Sequence, residues 1–267
     1  MELKQLGTTG VMLPEIGLGT WNYSGGVDPL RKGIELGAYL IDTAEGYHTE
    51  DVVGRVTKGT RNRVFIATKV SGRHLRYDQV LRAAEESLRR LDTDYIDLYQ
   101  VHWPNSSVPI RETMRAMELL VDSGRVKYIG VSNFSVNELR EAQAAMSKYP
   151  VVSNQVLYNL NYRNIERELL PYCEKNQVTI LAYTPLDSGT LAKSPRLGKT
   201  RGMEVLDRIA NELQKTIAQV ALNWCTAHPY VIAIPKSNSV ARTVENCGAS
   251  GWRLNAKEIR LLDEAFS

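Results

Sequence analysis

The sequence predicts an α/β protein of the TIM-type (β/α)8-barrel class, preceded by an N-terminal β-hairpin. Three observations carry that expectation. Short β-branched apolar runs alternate with longer amphipathic stretches along the whole chain. The runs are apolar throughout rather than alternating, as in parallel strands buried on both faces. Eight such units recur at similar steps, which fits a closed barrel better than an open doubly wound sheet.

At the front, the segments 3–6 and 11–13 flank Gly7-Thr8-Thr9-Gly10, a turn sequence between two short apolar stretches. This reads as a hairpin placed to plug the N-terminal mouth of the barrel. The strand candidates follow at 39–41, 64–67, 95–101, 126–131, 151–156, 178–182 and 231–234, with 15–19 as a weaker eighth at the front. Between them, Leu81, Ala84, Leu88 and Leu91 share one face of a helix over 79–91. Met114, Met117 and Val121 mark another, read as core packing rather than as a cofactor contact. A capping box at Ser135 and Glu138 opens a third helix. The step from about Val178 to Val231 is longer than the others and predicts an insertion with an extra helix. The basic stretch 193–201 is the expected long loop, read either as a lid over a cofactor or as a solvated charged loop. A final helix with Asn255 as its cap is expected within 252–267. With no linker or low-complexity tract, residues 1–267 are expected to form one domain.

Composition bounds the function. The chain has 267 residues, 43% hydrophobic and 24% charged, with a net charge of +3. That charge gives no reason to expect nucleic acid or an anionic membrane as partner. No apolar run reaches the ~20 residues of a membrane span, and the first ten residues lack a signal-peptide core. Cys173, Cys225 and Cys247 are far apart and form no CxxC pair, so reduced thiols in a cytoplasmic protein are expected, with no metal site. Oligomeric state stays open.

Polar residues recur where the expected strands end. Asp42 follows Leu40-Ile41, Lys69 follows Ala67-Thr68, His102 follows Gln100-Val101, and Ser132-Asn133 follow Gly130-Val131. Gln155, Tyr183 and Lys236 occupy the corresponding places further on. In a barrel the C-terminal strand ends face one bowl, so these residues are expected to converge. Each has a bland alternative when taken singly: a helix cap, an amphipathic surface residue, a solvated lysine. Dinucleotide sites often show GxGxxG after a strand. Here Gly17-Leu18-Gly19 lacks the third glycine, and no Tyr-x-x-x-Lys pair occurs.

The segment Gly37-Ala38-Tyr39-Leu40-Ile41-Asp42-Thr43-Ala44-Glu45-Gly46-Tyr47 resembles the signature of the aldo-keto reductase family. Further blocks are similar to that family in the same order: Leu18-Gly19-Thr20-Trp21, Ala67-Thr68-Lys69, Val101-His102-Trp103-Pro104, Gly130-Val131-Ser132-Asn133-Phe134 and Ile234-Pro235-Lys236-Ser237. The resemblance covers essentially the whole chain and looks most like the compact prokaryotic reductases of the diketogluconate reductase type. It implies a (β/α)8 barrel with an N-terminal hairpin, NADPH as cofactor, and reduction of aldehydes and ketones to alcohols.

The resemblance implies a role for each residue. Tyr47 would donate the proton, Lys69 would tune it, Asp42 would brace Lys69, and His102 would orient the substrate oxygen. An ammonium beside a phenol favours the phenolate, so Lys69 is expected to lower the pKa of Tyr47. Gly19, Thr20, Trp21 and Asp42 count among the implied cofactor contacts. Ser132, Asn133 and Gln155 would hydrogen-bond the carboxamide, and Tyr183 would stack on the nicotinamide ring. Thr184, Pro185, Leu186, Ser188, Gly189 and Leu191 would pass over the pyrophosphate. Ile234 and Pro235 are implied cofactor contacts as well, and Lys236, Ser237 and Arg242 would meet the adenosine 2′-phosphate, which favours NADPH over NADH. Glu245 and Asn246 would reach the adenine. Trp21, Tyr47, His102 and Trp103 are expected to wall the substrate. The short C-terminal segment predicts an open pocket with loose choice among small aldehydes, 2-oxoaldehydes, aldoses and keto-sugar acids. Two competing readings remain at this point: a cofactor-binding regulatory or redox-sensing subunit with little turnover, and a phosphate-handling barrel isomerase or lyase.

Overall fold

In a computed structural model, which describes residues 1–193 and 200–267, eight parallel strands form one sheet in sequential order. The two-stranded hairpin stands apart from it. Its strands are β1 (Leu3–Gln5) and β2 (Met12–Pro14), paired antiparallel with Leu3 opposite Pro14. The barrel strands are β3 (Leu18–Gly19), β4 (Leu40–Asp42), β5 (Phe65–Val70), β6 (Ile96–Val101), β7 (Val126–Ser132), β8 (Val151–Leu157), β9 (Thr179–Tyr183) and β10 (Val231–Ala233). The sheet closes on itself where Ile16 bridges Ala233 and Gly19 bridges Lys236, both parallel. The amide of Gly17 donates to the Ala233 carbonyl at 2.8 Å, and that of Ala233 donates to the Glu15 carbonyl at 2.9 Å. The weak eighth strand expected near the front is therefore the seam of the barrel.

The helices of the described residues are α1 (Asp28–Glu35), α2 (Glu50–Thr57), α3 (Tyr77–Leu91), α4 (Ile110–Asp122), α5 (Val136–Ala145), α6 (Leu169–Lys175), α7 (Arg201–Glu212), α8 (Ile217–Cys225), α9 (Val240–Cys247) and α10 (Ala256–Ala265). The expected extra helix lies between β9 and β10, where both α7 and α8 occur. Ser135 and Asn255 cap α5 and α10 in the expected capping boxes. Of the basic stretch 193–201, positions 194–199 lie outside the described residues. None of the described helices is long and apolar enough to cross a membrane.

Every residue of β5 and β6 is buried, as apolar runs on both faces require. The barrel interior holds its own apolar plug. Leu6 and Leu13 of the hairpin pack with Leu40, Ala67, Leu98, Leu181 and Ile232. The hairpin thus closes the N-terminal mouth, as expected. Strand residues two apart share a face. Asp42, Lys69, Gln100 and Tyr183 therefore stand directly above Leu40, Ala67, Leu98 and Leu181. The period-2 pattern lifts these polar residues onto an apolar floor at the C-terminal end.

Candidate active site

The strand register sets the first contacts. Lys69 pairs with Gln100 across β5 and β6, and Ser132 pairs with Gln155 across β7 and β8. Lys69 is fully buried and Asp42 nearly so. The Lys69 ammonium donates to Asp42 Oδ1 at 2.7 Å and to the Thr43 carbonyl at 2.8 Å. Its third direction points at the Tyr47 hydroxyl, 3.5 Å away. Asp42 Oδ2 accepts from Gln155 Nε2 at 2.7 Å, so both carboxylate oxygens are engaged.

Tyr47 lies off the strands, on a single 3-10 turn spanning Glu45–Tyr47. Two side chains close the base of that turn: Thr43 and Thr49 are hydrogen-bonded through their hydroxyls at 3.0 Å. At its tip, Glu45 Oε1 accepts from the Ser71 amide at 2.6 Å and pairs with His74 Nδ1 at 3.0 Å. The Tyr47 hydroxyl is 3.4 Å from His102 Nε2, with the two rings edge-to-face at 5.4 Å between centroids. His102 follows β6, its amide donating to the Val70 carbonyl at 2.9 Å.

Burial dominates the acid–base character here. It pushes the Tyr47 phenol above its ordinary pKa, with Lys69 pulling the other way and losing. Lys69 lowers the Tyr47 pKa as expected, but burial, which the sequence does not show, raises it by more. The ammonium is shared with Asp42 and the Thr43 carbonyl, and a desolvated phenolate has little else to stabilise it. The His102 imidazole is pushed down to about 4, first by burial and then by the Lys69 charge. At neutral pH the constellation is a neutral phenol beside a neutral imidazole.

A cleft of about 710 Å³ runs from this quartet along the strand ends. At one end stand Trp21, Asn22, Gly46, Tyr47, His102 and Trp103. Trp21 and Trp103 are 55% and 52% exposed, so this end is open, as expected. Midway, Ser132 donates to the Gln155 carbonyl at 2.9 Å. Asn133, in the left-handed region at φ 62°, donates to the His102 carbonyl at 3.1 Å and accepts from the Tyr183 hydroxyl at 3.0 Å. Gly19, Thr20, Asp42, Ser132, Asn133, Gln155 and Tyr183 all line the cleft. Lys69 lies beneath it.

Beyond Tyr183 the chain enters a run of unusual backbone. Thr184, Asp187, Ser188 and Gly189 all have positive φ, from 46° to 96°. A β-branched residue in that region is an outlier, and such strain concentrates where a loop must present its backbone to a ligand. Thr184, Pro185, Leu186, Ser188 and Gly189 line the cleft; Leu191 does not, being fully buried in the core. At the far end, Ile234, Pro235, Lys236, Arg242, Glu245 and Asn246 complete the wall. Lys236 and Arg242 are exposed and hold no ion pair with the described residues. The Ser237 hydroxyl donates to the Ser239 carbonyl at 2.9 Å. Ser239 caps α9 by accepting from the Arg242 amide. Leu191 and Ser237 are therefore not among the residues that line this cleft.

The sequence reading left out Asn22, Gly46, Ala192 and Ala218, which also line the cleft, as does Lys193 at the start of the basic stretch. Asn22 and Gly46 flank residues already singled out, so adjacency was a usable signal. Ala218 had none: it sits on α8, and only the packing of that helix brings it to the wall. No described cluster of His, Cys, Asp or Glu could hold a metal ion.

A profile described as "Aldo/keto reductase family" matches residues 15–266. The methylglyoxal reductase YeaE of Escherichia coli is 38% identical over all of this chain and 96% of its own length. The glyoxal reductase of Bacillus subtilis is 35% identical over 95% of this chain and 89% of its own. Among solved structures, an aldo/keto reductase from Klebsiella pneumoniae in complex with NADP and acetate superposes with a TM-score of 0.89. It is 36% identical and the match covers 100% of this chain and 96% of that one. The chain belongs to the aldo-keto reductase family.

Proposed function

We propose that this protein reduces small carbonyl compounds to alcohols with NADPH, and that Tyr47 is the proton donor. The observation that carries the reading is the placement of the Tyr47 hydroxyl. It faces an open cleft, 3.4 Å from His102 Nε2 and 3.5 Å from a buried ammonium that Asp42 holds in place.

The cleft residues fit the cofactor. The far end offers two cations, unpaired among the described residues, at the mouth of a capped helix, suited to a 2′-phosphate. The loop 184–189 brings left-handed backbone, with Gly189 leaving room for close approach, to the cleft wall, and the strand ends offer Ser132, Asn133 and Gln155. NADPH supplies the hydride. The protein's own part is to receive the substrate oxygen between Tyr47 and His102. His102, being neutral, can donate one hydrogen bond from Nε2 to that oxygen. Its tautomer then places the proton on Nε2. Tyr47 keeps its proton at neutral pH because burial raises its pKa. As negative charge develops on the substrate oxygen, the phenol gives up that proton, and Lys69 stabilises the phenolate left behind. Asp42 keeps the ammonium oriented toward Tyr47.

The substrate end supports uncharged carbonyl compounds, 2-oxoaldehydes among them, over keto-sugar acids. Trp21, Asn22, Gly46, Tyr47, neutral His102 and Trp103 offer aromatic walls and hydrogen bonds. Among the described residues there, none supplies a cation for a substrate carboxylate. The two relatives that act on methylglyoxal and glyoxal point the same way. Cys173, Cys225 and Cys247 are buried free thiols, which supports a reducing compartment such as the cytoplasm.

The test is loss of NADPH absorbance over a panel of neutral aldehydes, dicarbonyls and keto acids, with Tyr47→Phe as control. Turnover of methylglyoxal that vanishes in Tyr47→Phe supports the assignment. Full kcat in Tyr47→Phe overturns it, and a preference for keto acids overturns the substrate class.

A further inference from the structure

The segment that carries Trp21 is fastened twice to the segment that carries Lys236. The first fastening is the barrel seam: Gly19 bridges Lys236, and the Gly19 amide donates to the Pro235 carbonyl at 3.1 Å. The second lies outside the sheet, between the Asn238 side chain and both the backbone amide and the hydroxyl of Ser24, 214 positions away. The Ser24 amide donates to Asn238 Oδ1 at 3.1 Å, and Asn238 Nδ2 donates to Ser24 Oγ at 3.0 Å. Trp21 and Asn22, both on the wall of the cleft, lie between these two anchors. So does the left-handed turn at Asn22, where φ is 51°.

The loop is built for this contact. Tyr23 is buried, and its hydroxyl donates to the Gly26 carbonyl at 2.9 Å, closing the loop on itself. At Gly25 a Cβ would sit 2.9 Å from Asn238 Cα and carbonyl oxygen, too close for any other residue. Asn238 in turn lies two residues from Lys236 and next to Ser239, the cap of α9 that presents Arg242.

We infer that the reciprocal Ser24–Asn238 pair couples the two ends of the cleft, so that charge held at Lys236 and Arg242 fixes the position of Trp21 against the carbonyl substrate. Ser24 and Asn238 are positioning residues that touch neither reacting atom. The inference rests on the proposed cofactor reading, in which the 2′-phosphate lies at Lys236 and Arg242. Its consequence is specific. The carbonyl KM depends on whether the reduced nicotinamide cofactor carries a 2′-phosphate, and that dependence passes through Asn238.

The experiment compares wild type, Ser24→Ala, Asn238→Ala and the double variant. Binding of NADPH and NADH is measured by quenching of protein fluorescence, and KM and kcat for methylglyoxal are measured with each cofactor at saturation. In the wild type, KM is expected to be roughly three- to tenfold lower with NADPH than with NADH, the range of one net hydrogen bond. In Asn238→Ala, KM with NADPH rises to the NADH value while kcat holds. Ser24→Ala gives a partial rise, and the double variant matches Asn238→Ala because that substitution already removes both bonds. An equal KM with the two cofactors in the wild type overturns the inference, as does a cofactor dependence that survives in Asn238→Ala. Ser24→Ala decides the matter should Asn238→Ala fail to fold, because a KM ratio unchanged from wild type refutes the coupling. Failure of NADPH to quench the wild type at all overturns the cofactor reading itself, a separate result.

Discussion

Replacing Lys69 by Met separates the two jobs of the buried pair. Lys69 is fully buried and donates to Asp42 at 2.7 Å and Thr43 at 2.8 Å. Its removal leaves the Asp42 carboxylate buried with Gln155 as its one remaining side-chain donor among the described residues. Breaking a buried pair by deleting one partner costs about 3–5 kcal/mol. For a chain of this size that is roughly 2 °C in Tm per kcal/mol, or about 6–10 °C. Asp42→Asn leaves the ammonium uncompensated and is expected to lose somewhat less, about 2–4 kcal/mol, because the new amide oxygen still accepts. In the double variant no buried charge remains, and about 2 kcal/mol or more of the summed loss is recovered. Activity behaves differently. Lys69 opposes the burial of the Tyr47 phenolate, so kcat for methylglyoxal falls by about a hundredfold or more in Lys69→Met and does not return in the double variant. Urea denaturation of the four proteins and steady-state kinetics on the same samples make the check. Additive stability losses, or recovery of kcat together with stability, would refute the reasoning.

Tyr47→Phe removes a hydroxyl without moving the turn that Thr43, Thr49 and Glu45 hold. Its kcat should fall by about a hundredfold or more, while the NADPH dissociation constant, followed by fluorescence quenching, changes by less than about twofold. Lys236→Ala with Arg242→Ala should erase the NADPH over NADH preference in kcat/KM, each residue carrying roughly a factor of ten as an exposed charge-assisted contact; an unchanged ratio removes the 2′-phosphate assignment. The His102 pKa of about 4 sets a stability slope. Between about pH 6.5 and 4 the unfolded chain protonates this imidazole and the folded one does not, so stability falls as pH drops through that window. Allowing for the partly exposed ring, the loss is about 2 kcal/mol. It should be missing from His102→Asn, as denaturation midpoints at several pH values will show.

Periodicity alone carried most of the architecture. Apolar runs on both faces of β5 and β6 suited parallel strands, and the same period put Asp42, Lys69 and His102 at neighbouring strand ends. Those facts are local: side-chain direction follows from strand geometry, and the order of units follows from the chain. The seam at 15–19 was faint because only β3 (Leu18–Gly19) is regular strand there and the rest closes through single bridges. The burial of Leu191 was not legible because a stretch with several left-handed residues has no period to read. Nor was the Ser237 hydroxyl bond to the Ser239 carbonyl, which depends on the local turn. The sequence by itself determined which residues would share one rim and what reaction their chemistry suits. Tertiary structure alone decided how acidic Tyr47 is and what its loop is tied to. Burial is a sum over every neighbour, and it outweighed the one charge that sequence could see. Contacts such as Ser24–Asn238 exist only because the barrel closes and brings the two ends of the chain together.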